Sequence, residues 1–338
     1  MKRQRHSLEK CLNGEFAGKR ILVTGGFGFI GSNLARTLCN MGARVTVIDS
    51  LIPEYGGNPF NLAGYEERMR TNISDVRDQY GIKYLIRDQD YLFNLAGQVS
   101  HTDSMVNPYT DLDVNVHAQV YILEASRQFN PKLRVVFSST RQIYGRPQYL
   151  PVDEGHPIVP VDVNGINKVA GESYHLLYGK VYGLEVTCLR LTNTYGPRMR
   201  VKDARQTFLG WWIRQLIEGR ELQIFGTGEQ LRDLNFVDDV IDAMLHAAIN
   251  PKAVGQVYNL GGEPIALLEL AKLMVECHGS GSFRTVPFPD ERKAIDIGHY
   301  YGSYDKIKTD LGWQPQISLR EGLEHTLSYY KDHLCHYV

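Results

Sequence analysis

Arg20-Ile-Leu-Val-Thr-Gly-Gly-Phe-Gly-Phe-Ile-Gly31 is the stretch on which the reading of this chain turns. Its first five residues form a short apolar run followed by glycines, the pattern of a strand buried on both faces. Behind Gly31, the apolar residues of Ser32-Asn-Leu-Ala-Arg-Thr-Leu-Cys39 fall at helical spacing, so the glycines occupy a strand-to-helix turn. Glycine there allows a tight turn, lets backbone N–H groups approach a pyrophosphate, and lets the helix pack closely on the strand. Asp49 ends the next strand, Ala43-Arg-Val-Thr-Val-Ile48, 18 residues after Gly31. A carboxylate there accepts hydrogen bonds from ribose hydroxyls and repels a 2′-phosphate, so NAD is expected rather than NADP.

The alternation continues outward from this stretch. Tyr91-Leu-Phe-Asn-Leu-Ala96 reads as a strand, Val114 to Arg127 as a helix and Arg134-Val-Val-Phe-Ser138 as a strand. Lys168 to Val181 follows as a helix and Glu185-Val-Thr-Cys-Leu-Arg-Leu191 as a strand. Such a series builds right-handed βαβ units, and hence an α/β fold with a Rossmann-like doubly wound parallel sheet. After about Leu191, polar and Gly/Pro segments separate shorter elements, as expected of a smaller mixed α/β C-terminal lobe, with Val237 to Ile249 returning to the first lobe as a helix. The expected division is an N-terminal arm at 1–16, an NAD-binding domain at 17–191 plus about 234–260, and a second lobe at about 192–233 plus 261–338.

Composition excludes several classes. Thirty-seven Lys and Arg against 38 Asp and Glu leave a net charge of −1, with no electrostatic footprint for nucleic acid. No run approaches the ~18 apolar residues of a membrane span. The basic segment Met1 to Lys10 has no apolar stretch behind it, so it reads as an arm and not as a secretory signal. Five scattered cysteines, never spaced CxxC, argue against a disulfide framework or metal site and for a reducing, cytoplasmic setting. The acidic pair Asp238 and Asp239 opens a helix, where carboxylates complement the N-terminal dipole, so no metal is expected there either.

Beyond the glycine loop, further motifs come in order: Asp75-Val76, Leu95-Ala-Gly-Gln98, Ser138-Ser-Thr140 ahead of Tyr144-Gly145, and Asn193-Thr-Tyr-Gly-Pro197. Phe225-Gly-Thr-Gly-Glu-Gln-Leu-Arg-Asp233, Val237-Asp-Asp239 and Leu311-Gly-Trp-Gln-Pro315 complete the set. Together they resemble the extended short-chain dehydrogenase/reductase superfamily, in its nucleotide-sugar epimerase and dehydratase branch, over nearly the whole chain from Arg20. The resemblance implies that Gly25, Phe27, Gly28, Phe29, Ile30 and Gly31 hold the cofactor and that Asp49 meets its ribose. It places Asp75 and Val76 beside the adenine, and Leu95, Ala96, Gly97 and Gln98 under the cofactor. The partner it implies is a nucleotide diphosphate sugar, UDP- or another NDP-linked, bound by the second lobe. Asn193 and Arg232 would contact its diphosphate, and Tyr144 would stand on the substrate side. Arg292 resembles a further diphosphate arginine, although Asp296 lies one residue too far for the usual RxGD spacing. A homodimer is also implied, through the helices at 114–127 and 168–181 with Val120, Tyr121, Tyr174, Leu177 and Tyr178.

In this family a strand-end Ser or Thr, a Tyr and a Lys four residues later carry the chemistry, and that spacing puts Tyr and Lys on one helix face. Thr140 matches the first position and Lys168 the last, where it would also hold the cofactor. Four residues before Lys168 stands Asn164, and no Tyr occurs between Leu150 and Ser173. An Asn cannot titrate and only exchanges hydrogen bonds. Lys168, made less basic by a cationic nicotinamide, is the first candidate to replace the tyrosine. His101, after strand four, is the second and Tyr144 the third, while Thr140 could only relay a proton. Arg141 and Gln142 stand where dehydratases of this branch carry an Asp-Glu pair, which argues against that elimination. Leu95 to Val99, with Ser104 and Pro108, is locally similar to epimerases of deoxysugar nucleotides. The expected function is therefore an NAD-dependent nucleotide-sugar epimerase working through transient hydride transfer. The alternatives are a dehydratase or dehydrogenase with a non-Tyr base, or a catalytically impaired protein that binds NAD and nucleotide sugar.

Overall fold

The computed structural model describes residues 14–204, 207–289, 293 and 295–338. Seven strands form the main sheet, all paired in parallel: β1 (Arg20–Thr24), β2 (Arg44–Asp49), β3 (Arg70–Ile73), β4 (Tyr91–Asn94), β5 (Arg134–Thr140), β6 (Glu185–Leu191) and β10 (Val257–Asn259). Their order is β3-β2-β1-β4-β5-β6-β10, so the winding reverses between β1 and β4. A crevice opens there at the carboxyl ends of the strands, where ligands of such sheets bind.

The central strands are apolar at nearly every position because both faces are covered. Ile21 and Val23 of β1 point into one core and Leu22 into the other. Helices α1 (Phe29–Asn40) and α8 (Val237–Ile249) supply the first core. Helices α2 (Gln79–Leu85) and α5 (Ala118–Phe129) supply the second, together with Tyr178 of α6 (Val163–Tyr182). Two small sheets follow in the second half of the chain. One has the order β11 (Pro264–Ala266), β9 (Leu231–Phe236), β7 (Asn193–Tyr195), and the other pairs β12 (Phe283–Val286) with β8 (Leu222–Phe225). The helices of this half are α7 (Phe208–Ile217), α9 (Leu267–His278), α10 (Asp305–Leu311) and α11 (Leu319–His333). They add Trp212, Met274, Ile307 and Leu327 to the first core, which runs unbroken between the two parts.

Four sequence expectations are altered. Phe16, counted in the arm expected at 1–16, has a ring fully buried against Tyr91, while residues 1–13 lie outside the described residues. The helix expected from Val114 to Arg127 starts as α4 (Pro108–Leu112), widens into a π-helical turn at Asp113–His117, and only then continues as α5. The wide turn brings Asn115 inward, and α6 crosses it so closely at Gly171 that a Cβ there would come 2.8 Å from the Asn115 carbonyl oxygen. α6 begins five residues before Lys168, because Asp162 caps it by accepting from Gly165 N at 2.6 Å, and this puts Asn164 in its first turn. Asp239 does more than face a helix dipole: its carboxylate accepts from the N–H groups of Gln316 and Ile317 and so pins the segment around Trp313.

Candidate active site

A cleft of about 290 Å³ lies over the sheet's reversal point. The glycine loop forms its floor. Gly25 takes a φ of 70°, and a Cβ on Gly31 would collide with the Gly25 carbonyl oxygen, so both positions require glycine. α1 opens at Gly28 with no side chain capping its first N–H groups and no acidic residue in its first turn, which leaves those donors for an anion. Thr24 shapes the neighbouring wall: its hydroxyl donates to Asn94 Oδ1 at 2.9 Å and accepts from the N–H groups of Leu95 and Ala96.

Gly25, Gly28, Phe29, Ile30, Gly31, Asp49, Asp75, Val76, Leu95, Ala96 and Gly97 all line this cleft. Asp49 accepts from Phe27 N at 3.0 Å and from Leu51 N at 2.9 Å, so it braces the loop from below; burial pushes its carboxyl above the usual range. The Asp75 carboxylate is gripped by Arg77 at 2.7 Å. Two expected cofactor residues do not face the cleft. The ring of Phe27 is buried in the first core, and its carbonyl accepts from Asn61 Nδ2. The side chain of Gln98 folds back to exchange two hydrogen bonds with the Ser100 backbone.

The far end of the cleft collects Thr140, Asn164, Lys168 and His101. Thr140 ends β5 and its hydroxyl accepts from Gln142 N at 3.2 Å. Lys168 is buried, with Nζ donating to Ser138 O at 3.1 Å and lying 5.1 Å from the centre of the Phe137 ring. Burial pushes its pKa down to about 8, against the opposing charges of Asp111 and Glu172. His101 opens the short helix α3 (His101–Val106), and its Nδ1 lies 3.0 Å from Asp162 Oδ2, an ion-pair distance without hydrogen-bond alignment.

Asn164 is held in one orientation. Its Nδ2 lies 2.8 Å from Gln98 O, a backbone carbonyl with no proton to give, and 2.9 Å from Asp111 Oδ2. The amide nitrogen must therefore point inward, and Oδ1, to which no group among the described residues donates, is the end left for the cleft. Asp111 was not evident in the sequence. It is fully buried, and its carboxylate also accepts from Asn115 Nδ2 at 3.0 Å and from Asn167 Nδ2 at 2.8 Å. The available signal was spacing: Asn164 and Asn167 are one helical turn apart and so share a face of α6.

Tyr144 corrects an expectation. It is fully buried outside the cleft, donating to Asn259 Oδ1 at 2.7 Å and accepting from Arg190 Nη1 at 2.6 Å. Burial pushes its pKa up to about 12, so it is neither a substrate contact nor a base. Arg190 in turn pairs with Glu172 at 2.6 Å, one turn beyond Lys168 on α6.

A second cavity, about 250 Å³, adjoins the first and shares Arg141, Gln142, His101 and Asn193 with it. Phe225 and Phe288 supply its aromatic wall, with ring centres 5.7 Å apart. Arg232 lines it but is already bonded to the carbonyls of Leu231 and Gly298, and it lies 3.4 Å from Asp296. Burial, with Arg141 nearby, pushes the Arg232 pKa down to about 10. Arg292 lies outside the described residues.

Known proteins resemble this chain in sequence and fold. Residues 21–261 match the NAD dependent epimerase/dehydratase family. The putative UDP-glucose 4-epimerase of Methanocaldococcus jannaschii is 34% identical over 313 residues, 92% of this chain and 98% of that one. The UDP-glucuronic acid decarboxylase 1 of Xenopus tropicalis is 32% identical over 328 residues, 94% of this chain and 73% of that one. Among solved structures, the UDP-glucose 4-epimerase of Thermotoga maritima with UDP-glucose superposes with a TM-score of 0.85 at 31% identity, covering 93% of this chain and 99% of that one.

Proposed function

The chain belongs to the NAD dependent epimerase/dehydratase family, and from that premise we propose that it epimerises a nucleotide sugar with Lys168, in place of a tyrosine, as the proton carrier. It is an NAD-dependent nucleotide-sugar enzyme. The glycine turn and the uncapped N-terminus of α1 fit the dinucleotide's pyrophosphate, with Asp49 below the loop for its ribose. Bound there, NAD supplies a hydride acceptor for one sugar carbon and a hydride donor for its return.

The observation that carries the reading is the fixed amide of Asn164 beside a buried, weakened Lys168. Asn164 stands where the family places its tyrosine, and it offers an oxygen that accepts from a sugar hydroxyl but cannot keep the proton. Lys168 Nζ, one turn further along α6, is poised to take that proton near neutral pH. Thr140 holds the hydroxyl from the opposite strand end. His101 is the second candidate: it stands on α3, apart from the helix that carries Asn164 and Lys168, with Asp162 3.0 Å from its Nδ1. In this reading residues 17–191 with 234–260 hold the cofactor, and residues 192–233 with 261–338 hold the nucleotide.

Wild-type protein mixed with UDP-glucose, UDP-galactose, UDP-N-acetylglucosamine and UDP-glucuronate tests the reaction. At least one should transiently reduce the bound nicotinamide and return inverted at a single carbon. Reduction followed by loss of water or carbon dioxide would replace epimerisation with another branch activity.

A cytoplasmic homodimer belongs to the same reading. Cys39, Cys188, Cys277 and Cys335 are free, and among the described residues no helix is long and apolar enough to cross a membrane. On α6, Tyr174, Leu177 and Val181 are 37%, 49% and 58% exposed, an apolar face that a second copy would cover. Tyr178 drops out of that face: it turns inward and donates to Glu124 at 2.6 Å. Light scattering should find a dimer at micromolar concentration, and monomer alone would remove this part of the reading.

A further inference from the structure

We propose that Arg141 is the substrate's anion receptor, taking an oxygen pair of the nucleotide sugar at the junction of the two cavities. This rests on the nucleotide-sugar reading and names the part of the site that reads the substrate's charge. Arg141 directly follows Thr140 at the carboxyl end of β5 and is one of the few side chains lining both cavities.

Its hydrogen-bond partners set Arg141 apart. A guanidinium presents five N–H donors in a rigid fork and accepts nothing. Among the described residues one nitrogen of Arg141 is engaged: Nη2 donates to Asn193 Oδ1 at 3.2 Å. Nη1 is enclosed with no acceptor among the described residues. The guanidinium carbon lies 4.9 Å from the centre of the Tyr300 ring, a contact that holds the stem but satisfies no donor. The carboxylate of Asp233 is committed elsewhere, to the Thr192 hydroxyl and to Gly302 N at 2.9 Å. Arg232, a second cation of the cavity, stands in contrast, since two backbone carbonyls and Asp296 already occupy it.

A half-buried cation with an enclosed, unpaired Nη1 is costly unless an anion completes it. The planar fork suits a group with two oxygens, and the second cavity leads to it. Beside Thr140, such a group is either the sugar-proximal phosphate or a carboxylate on the sugar itself. Both present the same pair of oxygens, so Arg141 would recognise either, with Asn193 steering the guanidinium.

Calorimetry on NAD-loaded protein separates the two, using UDP, UDP-glucose and UDP-glucuronate as probes. Arg141→Met keeps the stem on Tyr300 and removes the charge. It should weaken binding by about tenfold or more, the loss expected for a charge-assisted pair. Equal losses with all three probes assign the phosphate, and a loss confined to UDP-glucuronate assigns the carboxylate. Arg141→Lys, which keeps the charge without the fork, should fall between wild type and Arg141→Met; it also serves if Arg141→Met does not fold, and a Lys variant matching wild type then counts against the fork. Wild-type affinity in Arg141→Met for every probe overturns the assignment and leaves the nucleotide-sugar reading intact. A wild-type protein that binds none of UDP, CDP, dTDP or GDP overturns that reading, and Arg141's role with it.

Discussion

Replacing Asp111 with Asn probes the device that orients Asn164. The substitution keeps volume and removes one charge from a fully buried carboxylate that accepts from three amides. The introduced side chain would keep its oxygen where Asn115 and Asn167 donate, since two bonds hold it there. Its new amide nitrogen would then face Asn164 Nδ2, donor against donor, at the site of the present 2.9 Å bond. Asn164 can relieve this only by turning over, which gives up its 2.8 Å bond to Gln98 O and presents N–H groups to the cleft. Hydrogen bonds to a charged acceptor contribute about 1.5–3 kcal/mol each, so a stability loss of that size is expected. The acceptor facing the sugar hydroxyl is lost as well, and about 1 kcal/mol for a neutral hydrogen bond slows hydride transfer about fivefold. A third effect has a definite sign. Asp111 supports the charged form of Lys168, so its removal lowers the Lys168 pKa further from about 8, and the rise of rate with pH moves to more acidic values. Stopped-flow absorbance of the bound nicotinamide across pH, with NAD affinity as the folding control, reads both rate and midpoint. A variant that binds NAD normally and keeps the wild-type rate and midpoint would refute the account of Asn164.

Gly31→Ala should abolish NAD binding, measured by calorimetry, because the added methyl meets the Gly25 carbonyl oxygen in the turn the pyrophosphate needs; retained affinity would move the cofactor elsewhere. Tyr144→Phe should lower stability by about 1–3 kcal/mol in urea titration, since it strands Asn259 and Arg190, while leaving nicotinamide reduction near wild type. A collapse of reduction in a stable Tyr144→Phe protein would restore Tyr144 to the chemistry.

The parallel sheet was legible because strands covered on both faces must be apolar throughout, and β1, β5 and β6 are buried along most of their length. The glycine turn was legible because backbone crowding at Gly31 excludes every other residue. The π-helical turn was hidden because a one-residue widening inside a helix barely disturbs 3.6-residue periodicity, and its cause, the crossing at Gly171, lies on another element. Phe27 and Gln98 sat in the right motifs but pointed the wrong way, since a motif fixes backbone position and leaves side-chain direction to packing. Asp111 was illegible for a related reason. A lone acid in a short helix reads as solvated, and only the fold brings three asparagines to it.

The most direct measurement is single-turnover reduction of the bound nicotinamide by the sugar that works in wild type, compared across Lys168→Met, Asn164→Ala and His101→Ala. Loss of the only base should cost about 10²–10⁴ in rate. Lys168→Met should therefore abolish reduction, Asn164→Ala should slow it less, and His101→Ala should leave it measurable. In wild type the rate should rise with pH toward a plateau above about 8, because only the neutral amine of Lys168 takes the proton. Near wild-type hydride transfer in Lys168→Met would contradict the account and leave Lys168 a cofactor-binding role alone.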